Sequence, residues 1–168
     1  ARSGLDAHLL NKNFTVSETV FRPLPDARIA FDAIYNARFD RSKRHELAAA
    51  IEHVAYVGYP CLSMGSSEEQ SKLAVGLLRR SPRHALINPI EQGLPVSLPP
   101  EGVNAALNRA AVGLCLSSIE GSNYASVEYM LAGLPVVSTP SVGGREIYFD
   151  HEYCTICDPH PAAVRDAV

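Results

Sequence analysis

Val112-Gly-Leu-Cys-Leu-Ser-Ser-Ile-Glu-Gly-Ser-Asn-Tyr-Ala-Ser-Val-Glu-Tyr-Met-Leu-Ala-Gly-Leu-Pro-Val-Val137 reads as a strand, a turn, a helix and a second strand. Val112–Leu116 is a short, fully apolar run of the kind buried on both faces of a sheet. Glu120 and Gly121 make a turn, and Ser122 or Asn123 suits the N-cap of a helix from about Asn123 to Ala132. Gly133 ends that helix, and Pro135-Val-Val137 returns to an extended, apolar pattern.

The same alternation continues on both sides. Arg28–Tyr35 suits a strand, and Leu47, Ala48 and Ile51 recur at helical spacing after it. Val54–Val57 is a second strand, ended by Gly58 and Pro60, and Ser67-Glu-Glu-Gln70 reads as a capping box for a helix with a basic last turn at Arg79-Arg80. Ala85–Ile87 is a third strand, Pro99-Pro100-Glu101 opens a helix that places Val103, Ala106, Leu107 and Ala110 on one face, and Thr155–Cys157 is a last short strand. Short apolar strands alternating with helices predict an α/β, Rossmann-like parallel sheet covered by helices on both faces. Such sheets bind ligands beyond the carboxyl ends of their strands, which directs attention to the loops after Tyr35 and Leu116.

The Pro-bracketed stretch Phe21–Asp26 divides a leading segment and interdomain linker, residues 1–26, from the α/β domain, residues 27–168. The first residue is not Met, and Ala162–Val168 reads as an unfinished amphipathic helix, so a fragment of a longer protein is expected.

Composition narrows the function. With 168 residues, 46% hydrophobic and 20% charged, the chain has the make-up of one globular domain. A net charge of −3 supplies no basic field for nucleic acid or an anionic membrane surface. No apolar run approaches the about 18 residues of a membrane helix, and Ala1–Asn13 lacks the continuous apolar core of a signal peptide, so a cytoplasmic location is expected. Cys61, Cys115, Cys154 and Cys157 are too few for a disulfide scaffold, and Cys154-Thr-Ile-Cys157 has no second pair to complete a zinc site. Asn13-Phe-Thr15 matches a glycosylation sequon that means little without a secretory route.

Two loops carry chemistry. Asn36-Ala-Arg-Phe-Asp-Arg-Ser-Lys-Arg44 places Arg38, Arg41, Lys43 and Arg44 between a strand end and a helix start, where unpaired N–H groups and cations suit a phosphate. In Leu116–Glu128, Glu120 stands at the turn and Glu128 two turns into the next helix, a position from which a carboxylate can accept from a vicinal diol. Taken alone, these cations and acids are also what a solvated surface would show.

The string from Leu114 through Glu120-Gly121, Glu128, Gly133-Leu-Pro-Val-Val137 and Gly143-Gly-Arg-Glu146 resembles the carboxyl-terminal domain of GT-B glycosyltransferases, the large retaining family 4. Two glutamates separated by seven residues carry the likeness. Arg38 through Lys43 looks like the family's Arg-x-x-x-x-Lys segment, with Asn36-Ala37 where Gly is usual, and Phe21-Arg-Pro23 resembles its hinge. The resemblance implies that Arg38 and Lys43 hold the donor diphosphate with the amides of Gly121, Ser122 and Asn123, with Tyr124 beside them. It implies that Glu128 binds the nucleotide ribose and Glu120, the catalytic position, meets the donor sugar. The implied substrate is a nucleotide-diphosphate sugar of UDP or GDP type, with no metal. The implied partner is an amino-terminal GT-B domain absent from this chain, in a full-length protein able to sit at the membrane periphery. Cations and amides around a departing diphosphate are also what the chemistry requires, because negative charge grows there in the transition state.

Gly133, the Val pair and the Gly143-Gly144 turn read as scaffold, and Glu146 as a first-turn acid of a short helix. Competing readings are a sugar-nucleotide epimerase or phosphorylase relative, and a non-catalytic nucleotide-binding module. A redox dinucleotide domain lacks its G-x-G-x-x-G after the first strand.

Overall fold

The computed structural model describes residues 12–59, 67–92 and 94–168. Six parallel strands, β1 (Phe31–Asn36), β2 (Val54–Val57), β3 (Ala85–Leu86), β6 (Ala110–Cys115), β7 (Val136–Ser138) and β8 (Cys154–Ile156), form one sheet in the order β3-β2-β1-β6-β7-β8. A small antiparallel hairpin, β4 (Ile90–Glu91) and β5 (Leu94–Pro95), stands apart from it. The strand order reverses between β1 and β6, and that switch point opens a crevice where two successive loops part to opposite sides.

Alternation along β1 explains the two layers. Ala33 and Tyr35 join Tyr56, Leu114, Leu116, Ala74 of α1 (Ser67–Arg80) and Val164 of α4 (Pro161–Ala167) in one apolar cluster. Ile34 joins Ala55, Cys115, Val136, Leu107 of α2 (Pro100–Leu107) and Tyr129 of α3 (Tyr124–Leu131) in the other. Each fully buried Ile or Leu contributes roughly 1.5–3 kcal/mol. Phe21 belongs to the second cluster, and the backbone after it is fastened to α2: Arg22 N donates to Asn104 Oδ1 (3.2 Å) and Leu24 N to Asn108 Oδ1 (2.7 Å).

The structure departs from the sequence expectation in several places: α2 ends at Leu107, so Ala110 opens β6 and does not share that helix face. No α-helix joins β1 to β2; two 3₁₀ turns, Arg41–Lys43 and His45–Ala48, do so. Asp40 caps the first by accepting from Ser42 N (2.8 Å), and Arg44, at φ 49°, breaks the chain into the second. Leu47, Ala48 and Ile51 still reach the core. Strand β1 starts at Phe31 and not at Arg28, because its neighbour β6 begins at the facing residue Ala110. The β4–β5 hairpin was not anticipated; Asn88 holds it to the sheet by accepting from Gly58 N (2.7 Å) and donating to Val96 O (2.8 Å).

Helix α1 starts at Ser67, but the side chains of Ser67 and Gln70, and Cys61, lie outside what is described. Cys115, Cys154 and Cys157 are free thiols. Among the described residues no three His, Cys, Asp or Glu side chains gather as a metal site would need, and no helix is long and apolar enough to cross a membrane.

Candidate functional site

A cleft of about 600 Å³ lies at the switch point, lined from the β1 loop by Asn36, Arg38 and Lys43 and from the β6 loop and α3 by Glu120, Ser122, Asn123, Tyr124 and Glu128. Tyr35, buried at the end of β1, donates its hydroxyl to the Lys43 carbonyl (2.6 Å), which folds the loop back over the sheet. That bond directs the Lys43 side chain into the cleft, where its ammonium lies against the Glu120 carboxylate; both side chains are largely buried. Arg38 Nε stands 3.5 Å from Asp40 Oδ2.

The other two cations of this loop go elsewhere. Arg41 faces a separate hollow between the loop and α1. Arg44 turns under the loop and donates to Leu116 O (2.6 Å) and Thr139 Oγ1 (2.7 Å), tying three strand ends together. The helix start expected here is replaced by short 3₁₀ turns, so the helix N-terminus that could meet an anion is that of α3.

The β6 loop is braced from β7. Glu120 N donates to Val142 O (2.9 Å) and Val142 N to Ser118 O (3.0 Å), while Gly143, at φ 126°, lies so close that a Cβ would fall 2.6 Å from Glu120 O. Only glycine tolerates both that φ and that approach. Asn123, not Ser122, caps α3: its side chain accepts from Ser126 N (3.1 Å). The amides of Gly121, Ser122 and Asn123 donate to no acceptor among the described residues, so three N–H groups at the helix start are open to an anion.

Glu128 projects from α3 toward β1, where Asn36 Nδ2 donates to it (2.8 Å). Burial raises its carboxyl to about 7, against the opposing effect of the Asn36 hydrogen bond. Asn36 N in turn donates to the hydroxyl of Tyr129 (2.7 Å), so one residue fixes both ends of the β1–α3 contact. Lys12 Nζ stands 4.6 Å from the centroid of the Tyr124 ring at the cleft edge.

Three residues of this assembly are not marked as participants by the sequence, Lys12 at the cleft edge among them. Asn36 was visible only as a departure from Gly; its strand-end position facing an acidic helix was the usable signal. Arg145 is fully buried, its guanidinium donating to Ser117 O (3.1 Å), Ser138 Oγ (2.9 Å) and Thr139 O. Glu146 stands 3.5 Å from Arg145 and does not line the cleft.

No family profile matches the sequence, and no curated protein sequence matches it. Solved structures do match in shape. The C-terminal domain of a glycosyl transferase group 1 family protein (LpcC) from Francisella tularensis superposes with a TM-score of 0.64 at 15% identity, covering 90% of this chain and 85% of that domain. The fold is that of the C-terminal half of a GT-B glycosyltransferase. Sucrose-phosphate synthase from Thermosynechococcus elongatus has this GT-B half with a TM-score of 0.70 at 20% identity, covering 90% of this chain and 40% of that one. A TarM variant from S. aureus, solved in complex with fondaparinux, α-GlcNAc-glycerol and UDP, shares it with a TM-score of 0.59 at 14% identity, covering 87% of this chain and 30% of that one. This GT-B half thus spans less than half the length of either enzyme, and at these identities the likeness is one of fold.

Proposed function

We propose that this chain is the donor-binding half of a retaining, family 4 glycosyltransferase that moves a sugar from a UDP- or GDP-type nucleotide sugar to a hydroxyl acceptor without a metal. One observation carries the reading: two cations on the β1 loop and two carboxylates, Glu120 and Glu128, line a single cleft with Ser122 and Asn123, whose amides, like that of Gly121, are open. Arg38, Lys43 and the amides of Gly121, Ser122 and Asn123 hold the diphosphate, with Tyr124 beside it. Glu128 accepts from the ribose hydroxyls, and Glu120 contacts the donor sugar. The bond from the anomeric carbon to the diphosphate oxygen breaks, the acceptor oxygen bonds to the same face, and its proton passes to the departing phosphate oxygen. Cations and amides placed before reaction favour this step, because they meet charge that grows on the leaving group.

Residues 27–168 form this half and residues 1–26 lead into it, while an amino-terminal domain brings the acceptor, so the chain alone binds donor without turning it over. Calorimetric titration of the chain with UDP, GDP and ADP, with Arg38→Ala and Glu128→Ala variants, tests the reading. Preference for one nucleotide, weakened by both substitutions, supports it. A folded chain that binds none at millimolar concentration sinks it.

A further inference from the structure

The segment ahead of Phe21 brings one more cation to the cleft. Lys12 heads the 3₁₀ turn Lys12–Thr15, which is fastened to the start of α3 at three points. Asn13, buried, donates Nδ2 to Asn123 O (3.3 Å); Thr15 Oγ1 meets the Tyr124 hydroxyl (3.4 Å); and the Lys12 ammonium rests over the Tyr124 ring. Lys12 therefore lines the same cleft as Lys43, Glu120 and Ser122, from a different part of the chain.

Its charge is placed differently from theirs. Lys43 faces Glu120 and Arg38 faces Asp40, so both β1-loop cations that line the cleft already meet a carboxylate. Among the described residues no carboxylate pairs with Lys12. An aromatic face attracts an ammonium but engages at most one of its three N–H groups, so the others stay available to an oxyanion. The open amides of Gly121, Ser122 and Asn123 lie immediately before the residue that carries the Lys12 ammonium.

We propose that Lys12 is a third diphosphate-binding cation, held ready by the Tyr124 ring. The proposal rests on the nucleotide-sugar reading of the cleft and extends it to a residue outside the Arg38–Lys43 and Glu120–Glu128 segments. An anion on the α3 amides receives a charge-assisted hydrogen bond from Lys12 as well as from the β1 loop.

The test is titration of the chain, as wild type, Lys12→Gln and Lys12→Arg, with UDP and GDP and with uridine and guanosine, at low and high salt. Lys12→Gln is expected to weaken the preferred diphosphate about tenfold and flatten its salt dependence, while the nucleoside is unaffected and Lys12→Arg stays close to wild type. Wild-type diphosphate affinity in Lys12→Gln overturns the proposal and leaves the cleft reading standing. An equal loss for the nucleoside overturns it too, because the turn would then only support α3. A wild-type chain that binds neither nucleotide removes the cleft reading and Lys12 with it.

Discussion

The ammonium of Lys43 lies against the carboxylate of Glu120, joining the loop after β1 to the loop after β6 across the switch point. These are the residues assigned to the diphosphate and to the sugar. Each neutralises the other's charge, and a partly buried pair is screened less than an exposed one. On the proposed reading, a donor exchanges this contact for its own.

Replacing Glu120 with Gln releases Lys43 while keeping an amide oxygen near it. Nucleoside diphosphate should then bind more tightly, by about three- to tenfold, or on the order of 1 kcal/mol. Transfer by the two-domain enzyme should fall at the same time. Calorimetry with UDP or GDP reads the first effect; weaker binding in Glu120→Gln would show that Lys43 is not held back by Glu120.

Glu128 predicts a pH dependence. Its carboxyl titrates at about 7 in the folded chain, above its ordinary range, so it is neutral below that pH and ionised above it. The ionised form is the better acceptor for a diol, so nucleoside affinity should rise between pH 6 and 8, roughly tenfold, and Glu128→Gln should be weak and flat. Stability runs the other way. The folded state holds this proton more tightly than the unfolded chain, so its favourable contribution is full below the unfolded value and is lost as pH rises to about 7. Glu128→Gln should stabilise the chain by about 1–2 kcal/mol at pH 8 and by nothing near pH 4, measured by denaturant unfolding.

The layered fold and the cleft were legible because their signals are local. Apolar runs such as Val54–Val57, the glycine stop at Gly133 and the paired glutamates each announce themselves within a few residues. The turns between β1 and β2 were not, since Leu47, Ala48 and Ile51 satisfy a helical period that the tertiary bonds of Arg44 override. Arg145 was hidden for a related reason: its acceptors Ser117 and Ser138 are 28 and 7 residues away in sequence. A buried arginine looks like a surface one until the loops around it are placed.

His45 carries a stability prediction of its own. It is buried among Tyr35, Phe39 and Tyr56, neither ring nitrogen has a hydrogen-bond partner among the described residues, and burial lowers its pKa to about 4. The unfolded chain therefore takes up this proton first, and stability is lost as pH falls from about 6.5 toward 4. His45→Phe, a ring of similar shape without orphaned nitrogens, should remove that loss. At pH 4.5 the variant is expected to exceed wild type by about 2 kcal/mol, with a smaller gain at pH 7. A wild-type advantage at both pH values would mean that the ring nitrogens do find partners.

Arg145 holds the β6 and β7 loops from beneath without touching the cleft. Its guanidinium satisfies the carbonyl of Ser117, three residues before Glu120, and the hydroxyl of Ser138 and carbonyl of Thr139 at the end of β7. Arg145→Met fills much of the volume but removes the donors to Ser117 O and Ser138 Oγ and the stronger of two to Thr139 O, at a cost of about 3 kcal/mol or more. Arg145→Lys keeps the charge but not the fork, and should recover only part of it. The loosened loop should also carry Glu120 and the open amides out of register, so nucleotide affinity falls in both variants even at temperatures where they remain folded. Thermal unfolding and nucleotide titration on the same samples separate the two effects. Loss of stability with unchanged nucleotide affinity would confine Arg145 to the core and detach it from the site.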